Sequence, residues 1–270
     1  MPRTLLRFWL WRLPAAAGLL LAVFFATGFW LALRGSLGDP LGSAPPPPAG
    51  PAPAKTVSGA PRFLLVLGDS LARGTGDETG KGFGGDLAET LRRRGPVTVA
   101  NLAVNGWESS DVRGLLDSAN ARALAARADW IVLSAGGNDL SHAVPRTQGT
   151  PAQALVSVGE SKTRFAANLR QILTSLRESN SRAPIYVLGL YNPFNEKSPA
   201  TRAGASVLFS WNAVIEETAL SFSDVFVVPT FDLFAARADR LAVDHFHPNG
   251  KGHQSIAERI AQVLPPDARP

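Results

Sequence analysis

The chain of 270 residues contains no cysteine. Disulfides, thiol nucleophiles and cysteine-ligated metals are thereby excluded, and whatever folds must rely on its core. It also lacks a strongly basic surface, although its formal charge is +5. Residues 1–34 carry four arginines and no acid, and in residues 35–60 Asp39 and Lys55 cancel. Taking those four from five leaves +1 for residues 61–270. The electrostatic footprint of a nucleic-acid binder is missing, and Arg92-Arg93-Arg94 reads as a solvated helix end. There is no internal repeat.

What is present at the N-terminus is one long uncharged apolar run, Leu13 to Leu33, bounded by Arg12 and Arg34. Its 21 residues are enough for a helix to cross the hydrocarbon layer, which takes about 20. Arg3, Arg7 and Arg12 precede it and Arg34 follows closely, so the positive-inside bias orients the N-terminus to the cytoplasm. A cleaved signal peptide is the alternative, but its apolar core spans roughly 7–15 residues and ends at a small-residue site that is not evident here. The expectation is an uncleaved anchor over residues 1–34. Residues 35–61, with APPPPAGPAPA at the centre, form a semi-rigid Pro/Ala-rich spacer. Residues 62–270 form one extracytoplasmic domain, ample for a single α/β core.

Within that domain apolar runs alternate with amphipathic stretches. FLLVL (63–67), VTVANLAV (97–104), DWIVLSAG (129–136), PIYVLGLY (184–191) and DVFVVPT (224–230) read as strands. Helical patterns occupy 83–94, 110–127, 161–178, 207–221 and 250–264, with Ser109 or Ser110 as the N-cap of the second. Strictly alternating strands and helices predict an α/β fold, a five-stranded, mostly parallel sheet covered on both faces. Functional groups in such sheets collect beyond the carboxyl ends of the strands. Residues 140–160 and 192–206 are left as long connections of the kind that shape specificity.

After the first strand comes GDSLARGTGDETGKG, with Gly74, Gly76, Gly80 and Gly82 close together. A phosphate-binding P-loop needs G-x-x-x-x-G-K-[ST]. Gly76 is one residue too near Gly80-Lys81, Gly74 one too far, and Gly82 replaces the metal-binding hydroxyl. The dinucleotide pattern fails too, because Thr79 stands where its third glycine belongs. A serine nucleophile fits better. It needs a base, usually histidine, and a group that orients that base, and the segment DHFHPNGKGH supplies Asp244, His245, His247 and His253. It also needs donors for the oxyanion; Gly106 offers an approachable N–H and Asn138 a side-chain amide.

Four blocks in this order resemble the SGNH (GDSL) hydrolase family: Gly68-Asp69-Ser70, Asn105-Gly106, Gly136-Gly137-Asn138-Asp139 and Asp244-His245-Phe246-His247-Pro248. The likeness covers nearly all of residues 61–270 and is nearest to the lysophospholipase-like bacterial branch, including membrane-anchored members. It implies a three-layer α/β/α sandwich of the flavodoxin-like type. It implies Ser70 as nucleophile, His247 as base and then acid, and Asp244 as its orienting partner. The oxyanion hole would combine the N–H groups of Ser70 and Gly106 with the side chain of Asn138. No metal and no organic cofactor are implied.

Asp139 reads as a loop tie and Asp69 as a turn residue, as short acids often are. His253, at the start of the last helix, is expected at the surface. Arg73 has the charge to hold a substrate phosphate or carboxylate, or to make a structural ion pair. Trp107 is suited to wall the pocket or to pack, and His142 to line the pocket or to lie in a solvated loop. Three functions follow: a membrane-tethered serine esterase cutting a lysophospholipid or other small acyl ester, an O-acetyl esterase or acetyltransferase on cell-wall polysaccharide, and a non-catalytic domain that binds the envelope. Intact Ser70, Asn138, Asp244 and His247 argue against the last. Nothing in the sequence points to a protein partner or an oligomeric state.

Overall fold

The computed structural model describes residues 60–143, 151–194, 199–235 and 237–264. The apolar run at 13–33 and nearly all of the spacer lie outside the described residues. Among the described residues no helix is long and apolar enough to cross a membrane.

Five strands form one sheet: β1 (Arg62–Gly68), β2 (Val97–Asn101), β3 (Trp130–Ser134), β4 (Ile185–Leu188) and β5 (Val225–Val228). Their order is β2-β1-β3-β4-β5, and every neighbouring pair is parallel. The central strands are buried on both faces, which is why they read as unbroken apolar runs. Alternate residues feed two separate cores. On one face Leu64, Val66, Val132 and Leu188 pack under helices α2 (Gly82–Arg92) and α8 (Gly250–Val263). On the other, Leu65, Leu67, Ile131 and Leu133 meet α3 (Ser109–Leu115), α4 (Ala119–Ala126), α6 (Pro151–Ser179) and α7 (Pro199–Ala219). Short helices α1 (Ser70–Arg73) and α5 (Gly137–Ala143) follow β1 and β3 directly. Each fully buried leucine or isoleucine contributes about 1.5–3 kcal/mol of apolar burial. The three layers and the parallel sheet agree with the expected fold.

The sheet grows outward in opposite directions from β1, first to β2 and then, across β1, to β3. The carboxyl ends of β1 and β3 therefore flank the switch point where open α/β sheets form a crevice.

Several boundaries differ from the sequence expectation. Strand β2 stops at Asn101 rather than at 104, because the Asn101 side chain turns the chain: its Oδ1 accepts the Ala103 N–H (2.9 Å) and its Nδ2 donates to the Ala72 carbonyl (2.7 Å). The helix expected over 110–127 is two, restarted where the Ser118 hydroxyl accepts the Ala121 N–H. Its first N-cap is Glu108, not Ser109 or Ser110. Helix α6 starts ahead of 161 and α7 ahead of 207, each with proline as first residue, so neither 140–160 nor 192–206 is a plain loop.

Candidate active site

The site starts where β1 must touch β3. Gly68 has φ +137°, and a Cβ there would lie 2.0 Å from the Ser134 carbonyl oxygen, so no larger residue fits. Asp69 then caps α1. Its Oδ1 accepts the Leu71 N–H (3.1 Å) and the Ser134 hydroxyl (2.8 Å). Burial pushes the Asp69 carboxyl upward by more than these donors pull it down. Ser70 is the first residue of α1, held at the switch point by this cap.

The opposite wall comes from the loop before α8. The Asp244 Oδ1 accepts the N–H groups of Phe246 (3.0 Å) and His247 (2.9 Å), which folds the segment into a tight turn. Its Oδ2 lies 2.6 Å from His247 Nδ1, and His247 Nε2 lies 3.0 Å from Ser70 Oγ. A carboxylate partner assigns the ring proton to Nδ1, which leaves Nε2 to accept from the serine hydroxyl. Burial disfavours the charge on Asp244, but the His247 ring and the amides of Phe246 and His247 outweigh it and hold the carboxyl below its usual range. His245, the sequence alternative, is exposed in a left-handed turn (φ +54°), and its ring bonds neither Asp244 nor Ser70.

Asn138 lies in the first turn of α5 beyond β3 and donates through Nδ2 to the Trp107 carbonyl (2.7 Å), which ties it to the loop that carries Gly106. Gly106 has φ +81° and sits exposed. Among the described residues neither the Ser70 nor the Gly106 N–H donates to a protein acceptor. Asp139 is buried. Its carboxylate takes the Ser109 N–H and hydroxyl, and its carbonyl accepts from Ser161 (2.8 Å), so it does tie the loops together. Burial pushes its carboxyl up.

The other candidates fall at the margins. Arg73 ends α1, exposed, with no ion pair among the described residues. Trp107 is half-buried and packs on the core under α3 and α6. His142 bonds Glu108 through Nδ1 at a polar cleft between α3, α5 and α6 that Asp139, Arg164 and Asn168 also line. The glycine-rich loop uses its amides internally: Asp77 accepts the N–H groups of Thr79 (2.8 Å) and Gly82 (2.7 Å), and the Asp77 N–H donates to Gly74 O (3.2 Å). A loop so occupied does not present its N–H groups to a phosphate.

Sequence reasoning missed three contributors. Tyr191, past the end of β4, donates its hydroxyl to the Phe246 carbonyl (2.8 Å) and packs on Phe234, which braces the turn before His247. Burial, then Asp69 and Asp244, push its pKa well up, so it stays a donor. Thr75 donates to Asn105 Oδ1 (2.9 Å) across the site mouth. His253, expected at the surface, is fully buried between α8, α2 and the glycine-rich loop. The tyrosine's position at a strand's carboxyl end was an available signal; His253 was in view as a candidate base but placed at the surface, and nothing in the sequence marked Thr75.

Comparison with known proteins follows the same lines. Residues 66–255 match the model of the GDSL-like Lipase/Acylhydrolase family. The uncharacterized protein YpmR of Bacillus subtilis is 29% identical over 213 residues, which span 77% of this chain and 83% of that protein. Among solved structures, the lipase Lip_vut3 from a goat rumen metagenome superposes with a TM-score of 0.69 at 22% identity, over 77% of this chain and all of that one (100%). The acetylxylan esterase Axe2 of Geobacillus stearothermophilus gives 0.58 at 17% identity, over 78% of this chain and 98% of that one.

Proposed function

The chain belongs to the GDSL-like lipase/acylhydrolase family and is a carboxylic ester hydrolase, and on that premise we propose that it is a membrane-tethered, extracytoplasmic serine esterase acting through an acyl-serine intermediate. The observation that carries this reading is the relay from Asp244 through His247 to the Ser70 hydroxyl, at 2.6 Å and 3.0 Å, beside two uncommitted N–H groups.

Ser70 Oγ attacks the ester carbonyl while its proton passes to His247 Nε2. Asp244 stabilises the imidazolium and keeps Nδ1 protonated. The carbonyl oxygen, now an anion, is met by the N–H groups of Ser70 and Gly106 and by the Asn138 amide. Collapse expels the alcohol, which takes the proton from Nε2. Water then attacks the acyl-serine with its proton going to the same nitrogen, and the acid leaves as Ser70 is re-protonated. Every proton is accounted for by His247.

Residues 62–270 form the catalytic domain, residues 35–61 a spacer and residues 13–33 the anchor. The arginine asymmetry around the anchor supports a domain outside the cytoplasm. Tethering beside a bilayer favours a lysophospholipid or other small acyl ester. The alternative, an O-acetyl group on a wall polysaccharide, is supported by the fold shared with Axe2, an acetylxylan esterase.

The test is hydrolysis of p-nitrophenyl esters from acetate to long acyl chains by the full chain in mild detergent, beside Ser70→Ala. Activity lost in the variant is expected, with longer-chain preference supporting the lipid substrate and acetate preference the polysaccharide one. Activity that survives Ser70→Ala refutes the mechanism. Membrane fractionation, with protease added to intact cells, tests the topology.

A further inference from the structure

His253 is wholly buried, and the two hydrogen-bond partners of its ring lie 170 and 178 residues away in sequence. A buried imidazole needs partners for both nitrogens. Its Nδ1 accepts the Phe83 N–H at the start of α2 (3.2 Å), and its Nε2 donates to the Thr75 carbonyl (3.1 Å). Those two bonds define one tautomer and the neutral ring, since a protonated Nδ1 would face an N–H donor. The ring also stacks on Phe83, 6.2 Å between centroids.

What Nε2 holds is the point from which the site is spaced. The Thr75 N–H donates to the Ser70 carbonyl (3.0 Å), and its hydroxyl donates to Asn105, the neighbour of Gly106. The next residue, Gly76, lies against the base: a Cβ there would sit 2.9 Å from His247 Cβ and 2.4 Å from the Pro248 carbonyl. A second latch joins the same loop to α8, where Glu78 accepts the Gly250 N–H (2.9 Å). One two-residue segment thus touches the nucleophile's backbone, the oxyanion loop and the base, and a buried histidine anchors it.

We infer that His253 is a positioning residue for acyl transfer, fixing through the Thr75 carbonyl the separation of Ser70, the Gly106 amide and His247. The inference rests on the serine mechanism proposed above. A histidine that merely filled the core would be replaceable by another ring of similar shape. His253→Phe keeps the stacking and loses both hydrogen bonds, whereas His253→Gln retains an acceptor and a donor on one side-chain amide.

The experiment measures kcat and KM on p-nitrophenyl acetate, and the rate of Ser70 phosphonylation by a phosphonate ester. It uses the full chain as wild type, His253→Phe, His253→Gln and Ser70→Ala, each normalised to its folded fraction. For folded His253→Phe, kcat and phosphonylation are expected to fall together by about 100-fold, the size of an ångström-scale misplacement, with KM little changed. Gln should restore most of both. Wild-type kcat and phosphonylation in folded His253→Phe, or Gln no better than Phe, overturns the inference.

If His253→Phe does not fold, His253→Asn decides, since its shorter amide can still accept the Phe83 N–H but no longer reaches the Thr75 carbonyl. Reduced kcat at unchanged KM is then expected, and wild-type kcat overturns the inference. Ester hydrolysis that persists in Ser70→Ala overturns the serine mechanism itself. An inactive Ser70→Ala beside an unaffected His253→Phe overturns this inference alone.

Discussion

Replacing Gly76 by alanine perturbs the site without removing any reacting group. Gly76 has φ +90°, a region that costs an L-residue about 1–2 kcal/mol. The added Cβ would stand 2.4 Å from the Pro248 carbonyl oxygen, 2.9 Å from His247 Cβ and 3.1 Å from Ala242 Cβ. An ordinary carbon–oxygen approach is about 3.3 Å or more, so one side must retreat by roughly an ångström. Overpacking of this kind costs a further ~1–3 kcal/mol. The combined loss corresponds to roughly 4–20 °C in Tm for a domain of this size. Because the atoms that yield belong to His247 and the residue after it, the 3.0 Å contact to Ser70 is what lengthens. A displacement of that order lowers the rate by about 100-fold.

Gly80→Ala is the matched control. It shares the left-handed backbone (φ +72°) but its Cβ meets no atom within 4 Å. It should lose ~1–2 kcal/mol of stability and keep full activity. The assay is kcat/KM on p-nitrophenyl acetate with a thermal melt on the same preparations. Folded Gly76→Ala with wild-type kcat would show that the loop does not back His247. Equal inactivation by Gly80→Ala would show that the loop acts by its flexibility rather than by this contact.

Asp244→Asn should preserve the fold and lower kcat by about 10⁴-fold, because an amide no longer enforces the Nδ1–H tautomer of His247; a steady-state assay at pH 8 checks it. Asn138→Ala should lower kcat by about 10²–10³-fold with KM little altered, the loss expected for one oxyanion donor. Arg177 donates to the carbonyls of Asn180, Ala183, Ser223 and Asp224, which fixes the turns entering β4 and β5, so Arg177→Ala should cost about 1.5–3 kcal/mol in urea unfolding and leave kcat unchanged. Burial holds the His253 pKa below 6.5, against the pull of Asp77 and Glu78 and with the help of His247. Above pH 6.5 both folded and unfolded states are neutral there and nothing is lost. Below it the unfolded chain binds the proton first, so stability falls with pH. Thermal melts from pH 7.5 to 5 should therefore drop more steeply for wild type than for His253→Gln.

Much of this was open to reading from the chain itself. β1 and β3 announced themselves as apolar runs, because strands covered on both faces have no polar side to alternate with. Ser70, Asn138, Asp244 and His247 stood out because the four blocks that carry them resemble those of the SGNH hydrolases; by residue chemistry alone His245 stayed open beside His247. The ends of elements were less legible. The end of β2 at Asn101 depends on a carbonyl of α1 that its side chain reaches only in the fold.

The sequence by itself determined the alternation of strands and helices, the residue types available for acyl transfer and the near-neutral charge of the domain. These are local matters of periodicity, spacing and composition. Only the tertiary structure decided that His247 rather than His245 faces Ser70, that Tyr191 braces the turn before the base, and that His253 is a buried anchor instead of a surface residue. The bond from His253 to Thr75 joins positions 178 residues apart. No local pattern encodes such a contact; it exists because the parallel sheet brings the loop after β1 and the first turn of α8 to the same edge.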